Sequence, residues 1–321
     1  MRYRLQSTSG SRELTITLRH EYVRIAITDR ARLERESVGF VLACTEHGRS
    51  TGKLSGECMR KLQHAVGIVR TYRNFWLRFA DYFGLLEKGS QHQLLTRSGL
   101  TLALRGCTSD MPIADEMFVT RTYDRALDLI GPDSNVIDIG AQSGMFSVAA
   151  ASRGARVFCC EPFRPNLPQI KRNAELNGVA DRITVSEVAV AGKPGEAELL
   201  YREHDTGGST LYQAVHREWD GDPSVQKAKV DVVTLADVFT SARIDRCDCL
   251  KLDCEGAEYD ILLSNPPELG RIGAIILEYH PNGDVRDLRK ALEAAGFSVW
   301  LADDSCTLFA RRAEGAITAA R

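Results

Sequence analysis

Two acidic residues stand near the ends of apolar runs in a way that suits a nucleoside-bearing ligand. The first lies in Asn135-Val-Ile-Asp138-Ile-Gly140-Ala141-Gln142-Ser143-Gly144, and the second closes Val157-Phe-Cys-Cys-Glu161-Pro162, 23 residues after Asp138. An apolar run, a glycine-containing turn and then a helical stretch read as strand, turn and helix, with the turn's N–H groups facing outward at the carboxyl edge of a sheet. A carboxylate ending the neighbouring strand, as Glu161 does, can accept both hydroxyls of a ribose. A dinucleotide fingerprint beginning at Gly140 would need glycines at 142 and 145 so that the backbone could approach a pyrophosphate, but those positions hold Gln142 and Met145. NAD is therefore disfavoured. Asp138, just before the turn, instead suits a positively charged ligand, since a carboxylate can hold an ammonium directly or through water. S-adenosyl-L-methionine has the ammonium and the ribose and no phosphate.

Only a parallel α/β sheet brings two such strand ends to one edge. From Pro132 the sequence alternates strand and helix, which predicts a doubly wound, mostly parallel sheet of seven strands. Strands are expected at 136–139, 156–161, 183–190, 249–252, 274–278, 298–302 and 307–311, and helices at 145–152, 167–176, 257–263 and 285–295. Only Asp303–Cys306 separates the last two strands, so they should pair as an antiparallel hairpin. Further upstream, Glu13–Arg19 and Tyr22–Thr28 alternate apolar and polar residues as a hairpin does, and Val38–Thr45 reads as a third strand. Leu54–Leu86 repeats apolar and aromatic residues at three- and four-residue intervals, a helical core stripe that Gly67 and Gly84 should break or end. Leu94–Gly106 reads as two short strands. The expected organisation is an α+β portion over 1–106 that caps the site or makes a dimer, a cofactor-binding domain over 107–312, and a tail over 313–321.

Taken together, Asp138-Ile-Gly-Ala-Gln-Ser-Gly144, Glu161-Pro162 with Asn166 and Asn173, Gly207-Gly208-Ser209-Thr210 and Lys251-Leu-Asp253-Cys-Glu255-Gly256-Ala-Glu258 resemble the FkbM-type S-adenosylmethionine-dependent methyltransferases. The resemblance covers roughly Ser109–Arg312, and its last motif is the most family-specific. Gln142 stands where that family usually has Asn, and Cys254 where it usually has Val; neither change removes a charge or a needed glycine. The resemblance implies that Asp138, Gly140, Ala141, Gln142 and Gly144 cradle the methionine portion of the cofactor. It also implies that Glu161, beside Pro162, binds the ribose, that Val188 and Ala189 pass beside the adenine, and that Asp253 lies near the sulfonium. S-adenosyl-L-homocysteine would be the product.

A sulfonium methyl is already activated, so the protein must mainly align an acceptor and remove its proton. Asp253, Glu255, Glu258 and His280 are the candidate catalytic residues. A carboxylate cluster of this kind could also hold Mg²⁺, which is not favoured, and no metal ligand is assigned. Cys254 lacks the Pro-Cys context of a nucleophile and reads as a bystander thiol. The implied acceptor is a hydroxyl of a small molecule, a natural product or a sugar, with O-methylation as the reaction.

The 321 residues are 44% hydrophobic and 26% charged, which excludes disorder and coiled coil. No apolar run approaches the ~20 residues a membrane span needs, and the N-terminus lacks a secretory signal, so a cytoplasmic address is expected. Nine cysteines without a spaced framework read as reduced thiols. Residues 1–105 hold 18 Lys and Arg against 9 Asp and Glu, and the remainder 23 against 34. That basic third keeps open an alternative acceptor, nucleic acid or an amine, and a less favoured role as a non-catalytic interaction protein. Membrane partners are not expected.

Overall fold

The computed structural model describes residues 2–8, 11–18, 21–28, 42–45, 56–302 and 306–313. The chain forms two compact units, Met1–Gly67 and Ile68–Arg321. In the first, β1 (Arg2–Thr8), β2 (Ser11–Leu18), β3 (Glu21–Thr28) and β4 (Leu42–Thr45) make an antiparallel sheet in sequence order. The expected hairpin is β2–β3. β1 is not among the expected strands: its alternation of Arg2, Arg4 and Gln6 with Tyr3 and Leu5 has only two apolar residues, too short a run to stand out. Residues 38–41 of the expected third strand, 54–55 of the expected helix and 314–321 of the expected tail lie outside the described residues.

α1 (Gly56–Thr71) runs through Gly67, which does not break it; an interior glycine costs a helix only ~1 kcal/mol. α2 (Trp76–Tyr82) does end before Gly84, whose φ of +64° suits the turn. Tyr72 and Phe75 of the aromatic stripe are buried, but Trp76 is 60% exposed. There follow β5 (Gln91–Leu95), β6 (Thr101–Arg105), α3 (Asp110–Asp115) and α4 (Asp124–Leu127).

The main sheet is then built by β7 (Asn135–Ile139), α5 (Met145–Ala151), β8 (Arg156–Cys160), α6 (Leu167–Leu176) and β9 (Ile183–Ser186). A second sheet interrupts it: β10 (Ala189–Val190), β11 (Gly195–Arg202), β12 (Asp205–Thr210) and β13 (Gln226–Val233). After α7 (Leu235–Ala242) the main sheet resumes with β14 (Cys247–Leu252), α8 (Ala257–Leu263), β15 (Ile272–Glu278), α9 (Val285–Ala294), β16 (Phe297–Leu301) and β17 (Thr307–Arg312). Its order is β16-β17-β15-β14-β7-β8-β9, and only β17 runs antiparallel to its neighbours. This is the doubly wound α/β sheet of seven strands that the sequence predicts. Its central strands are mainly apolar because helices cover both faces, burying Ile137, Ile139, Leu250, Leu252, Ile275 and Leu277, with Asp138 on β7 and Lys251 on β14 as buried charges among them.

The expected strand 183–190 is two strands. After Ser186 the chain leaves the main sheet, and Ala189 and Val190 pair instead with β13 of the second sheet, whose order is β10-β13-β11-β12. The expected boundary at 106/107 falls inside the second unit, because the β5–β6 hairpin is tied to α6. Asn173 accepts from Ala103 N (2.6 Å) and donates to Ala103 O (3.2 Å), and Asn177 does the same for Thr101 at 2.9 and 2.7 Å.

Register fixes the site. Ile139 pairs with Cys160 on one side and Leu252 on the other, and Leu252 pairs with Leu277. The next residues, Glu161, Gly140, Asp253 and Glu278, therefore form one row across four adjacent parallel strands at the carboxyl edge.

Candidate active site

A cavity of about 350 Å³ opens along this row. Of the residues expected to bind cofactor, Gly140, Ala141, Gln142, Glu161, Pro162, Ala189 and Asp253 line it; Asp138 and Gly144 do not. Of the catalytic candidates, Asp253 and Glu255 line it, whereas Glu258 and His280 do not.

The turn after β7 is pressed onto the turn after β14. Gly140 has φ +76°, and a Cβ there would lie 1.7 Å from the Asp253 carbonyl oxygen, so only glycine fits. Gly144, at φ +80°, caps the start of α5 and packs on Ile170, which makes it a structural glycine. The Glu161 carboxylate is fixed by two backbone donors, Gln142 N (2.7 Å) and Phe163 N (2.9 Å). Burial pushes its carboxyl up to about 7, more than those two bonds lower it.

The Gln142 side chain turns away to a buried network centred on Asp110. Asp110 accepts from Gln142 Nε2 (2.6 Å), Thr206 Oγ1 (2.7 Å) and the Arg105 guanidinium (2.8 and 2.9 Å). Arg105 also donates to Asn166 Oδ1 (2.6 Å), and Asn166 donates to Thr206 O (2.9 Å). One buried carboxylate thus ties β6, α3, the cofactor turn and β12 together. The sequence signals Asn166 and the 207–210 motif but not the Arg105–Asp110 pair at their centre.

Asp138 does not offer its carboxylate to a ligand. It is fully buried, accepts from Ser147 Oγ (2.6 Å) and lies 3.3 Å from Lys251 Nζ. Lys251 is the cation that Asp138 holds. The same ammonium lies 3.4 Å from Asp253 Oδ2 and donates to Gly140 O (2.6 Å). Burial would lower its pKa, but Asp138 and Asp253 outweigh that and raise it. Tyr123, whose phenol burial holds well above its ordinary pKa, also donates to Asp253 Oδ2 (3.2 Å). Asp253 is thereby oriented through one oxygen.

Glu258 is fully buried and accepts from Gly256 N (2.9 Å), His280 N (2.9 Å) and His280 Nδ1 (3.0 Å). His280 Nε2 lies 3.2 Å from Glu255 Oε2, and His216 Nε2 reaches the same oxygen at 3.4 Å. Burial lowers the His280 pKa, but the hydrogen bonds to Glu255 and Glu258 carry it to about 11. Burial likewise raises Glu255, yet bonds from His216 and His280 bring it down to about 2. Set between Glu255 and Glu258, His280 is in surroundings that favour its imidazolium form, and Glu258 positions it. Asp253, Glu255 and His280 offer ligand atoms within 4.8 Å of one another, the grouping that metal ions use. Here the His280 and Glu255 atoms are spent on each other. Cys254 Sγ faces Glu258 and burial pushes its thiol well up, leaving no nucleophile.

The structure adds cavity residues that no sequence motif contains, Tyr123, His216, Glu116 and Glu278, and gives a role to Lys251, which opens the last motif. Lys251 alone has a signal, lying two residues before Asp253 and hence on the same side of β14.

A carboxylate fixed for a ribose diol, a glycine turn closed onto the neighbouring strand and an anionic cavity of small-molecule size fit S-adenosylmethionine, which carries a net positive charge. Fold and site define a class I S-adenosylmethionine-dependent methyltransferase. Residues 138–299 match the methyltransferase FkbM domain, and the chain belongs to that family. It is 28% identical over 229 residues to the AMB antimetabolite synthetase AmbE of Pseudomonas aeruginosa, a match covering 60% of this chain and 11% of that protein. Methyltransferase sdnD of Sordaria araneosa is 24% identical over 232 residues, covering 62% and 89%. The 2-O-methyltransferase NoeI of Sinorhizobium fredii is 26% identical over 163 residues, covering 46% and 64%. No described helix is long and apolar enough to cross a membrane.

Proposed function

We propose that this chain transfers the methyl group of S-adenosylmethionine to a hydroxyl of a small molecule, a natural product or a sugar. The observation that carries this reading is the state of Asp253. Lys251 and Tyr123 both engage its Oδ2, which fixes the plane of the carboxylate and leaves Oδ1 to accept from an acceptor hydroxyl. The name of NoeI, a 2-O-methyltransferase, supports the same chemistry. When bound, S-adenosylmethionine supplies a methyl group activated by its sulfonium. Glu161 accepts the ribose hydroxyls, the Gly140 turn shapes the adjoining wall, and Asp253 aligns the acceptor oxygen and receives its proton.

The test begins with calorimetric titration of S-adenosylhomocysteine, followed by release of S-adenosylhomocysteine from S-adenosylmethionine over matched acceptors: sugars and phenols, their deoxy analogues, amines and an oligonucleotide. Transfer that requires the hydroxyl, and that falls at least a hundredfold in Asp253→Asn with cofactor affinity kept, is the expected result. Transfer confined to amines or to the oligonucleotide would overturn the reading.

A further inference from the structure

Most carboxyls of the cavity are already spoken for. Glu161 takes two backbone N–H groups, and Asp205 takes Ser109 Oγ (2.7 Å) and Gly208 N (3.1 Å). Asp253 takes Lys251 and Tyr123, and Glu255 takes His216 and His280. Glu116 is exposed. Glu278 is different: it is half-buried, lines the cavity and makes no side-chain hydrogen bond or ion pair among the described residues. It ends β15 in the same row as Glu161 and Asp253, on the strand next to Asp253 and three strands from Glu161.

A half-buried carboxyl without a partner is costly unless it is protonated or meets a cation. The groups that act on Glu278 are Asp253 and Glu255 from the turn after β14, Glu116 from the turn after α3, Tyr123 before α4, and His280 from its own segment. His280 is the one cation among them, and its ring is committed to Glu255 and Glu258. Burial first, then Asp253, pushes the Glu278 carboxyl up to about 8.

We propose that Glu278 is the residue by which this site favours S-adenosylmethionine over S-adenosylhomocysteine. The two molecules share adenine, ribose, ammonium and carboxylate, and they differ by one methyl group and the positive charge on sulfur. A half-buried carboxylate attracts that charge, whereas the neutral thioether of the product gives it nothing to pair with. At neutral pH, binding of the sulfonium form draws Glu278 from its acid to its carboxylate, and the proton passes to the buffer. The product form leaves the proton in place. Methyl transfer thus removes the counter-charge of Glu278, which weakens the hold on product. The inference requires the cofactor class alone and stands whichever acceptor is methylated.

The test is calorimetry at pH 7.0 in phosphate and in Tris, whose ionisation enthalpies differ, with each nucleoside on wild type, Glu278→Gln and, as a control outside the cavity, Glu293→Gln at the exposed carboxylate on α9. Wild type should release more protons with S-adenosylmethionine than with S-adenosylhomocysteine; any release from Glu161 is common to both ligands and cancels. The affinity ratio of the two should fall about tenfold in Glu278→Gln, with the excess proton release lost, and both should survive in Glu293→Gln. Wild type supplies a second readout that needs no variant: its preference for S-adenosylmethionine should rise between pH 6.5 and 9 as Glu278 ionises. An unchanged ratio and proton release in folded Glu278→Gln, or a flat wild-type pH profile, would overturn the proposal. Failure of both nucleosides to bind would instead reject the cofactor class, and this inference with it.

Discussion

Lys251→Met tests whether the buried ammonium holds the site together. Lys251 is 4% exposed and Asp138 is not exposed at all; Nζ lies 3.3 Å from Asp138, 3.4 Å from Asp253 and 2.6 Å from Gly140 O. Methionine keeps most of the volume and removes the charge. Asp253 can turn to water, because its side chain is 26% exposed, but Asp138 cannot. Deleting one partner of a buried pair costs about 3–5 kcal/mol, nearly all of it the stranded charge. Asp138→Asn added to Lys251→Met removes that charge and keeps an oxygen for Ser147, so the double variant should lose only about 1–2 kcal/mol in hydrogen bonds. The second substitution should therefore recover about 2 kcal/mol in urea unfolding at pH 7.5 with the slope unchanged. A double variant no more stable than Lys251→Met would refute the reasoning, since Asp138 would then not depend on Lys251.

Three further outcomes follow from the geometry. Affinity for S-adenosylhomocysteine should fall as pH drops below about 7, by up to tenfold per unit, because the diol binds the ionised form of Glu161; a profile equally steep in Glu161→Gln would exclude this cause. Gly178→Ala, at φ +65° with open space around it, should cost ~1 kcal/mol in unfolding experiments. Gly140→Ala, at φ +76° but 1.7 Å from the Asp253 carbonyl oxygen, should cost at least ~2 kcal/mol more and abolish binding; equal costs would contradict the tight turn. The third concerns His280 and Glu255. His280, raised from 6.5 to about 11, contributes stability present in full below pH 6.5 and lost as pH rises toward 11. Glu255, lowered from 4.5 to about 2, contributes stability present in full above pH 4.5 and lost as pH falls toward 2. His280→Gln should therefore destabilise most at pH 5.5 and less at pH 9; equal losses at both would show that His280 is not charged.

The main sheet is legible because strands covered on both faces are written as apolar runs, unbroken in Val157–Cys160 and Ala274–Leu277 and interrupted only by Asp138 in Val136–Ile139. The second sheet leaves a weaker mark, the alternation of Lys227, Lys229 and Asp231 with Ala228, Val230 and Val232 on β13, and nothing local says that β13 pairs with β11, where Glu198 and Glu196 meet Lys227 and Lys229. α7 does leave a local mark in its capping box, Thr234 with Asp237, but a helix of eight residues offers too few turns for a clear apolar period.

What the sequence determined by itself was which residues arrive at the reacting edge. In a parallel sheet every strand delivers its carboxyl end to the same side, so Glu161, Gly140 and Asp253 could be placed from strand ends alone. What only the tertiary structure decided was the state of each group there. Asp138 pairs with Lys251 instead of a ligand, His280 lies between Glu255 and Glu258, which favour its cationic form, and Glu278 has no side-chain partner among the described residues. Charge and basicity depend on burial and on neighbours up to 130 positions away in the chain, as Tyr123 is from Asp253, and no local pattern records them.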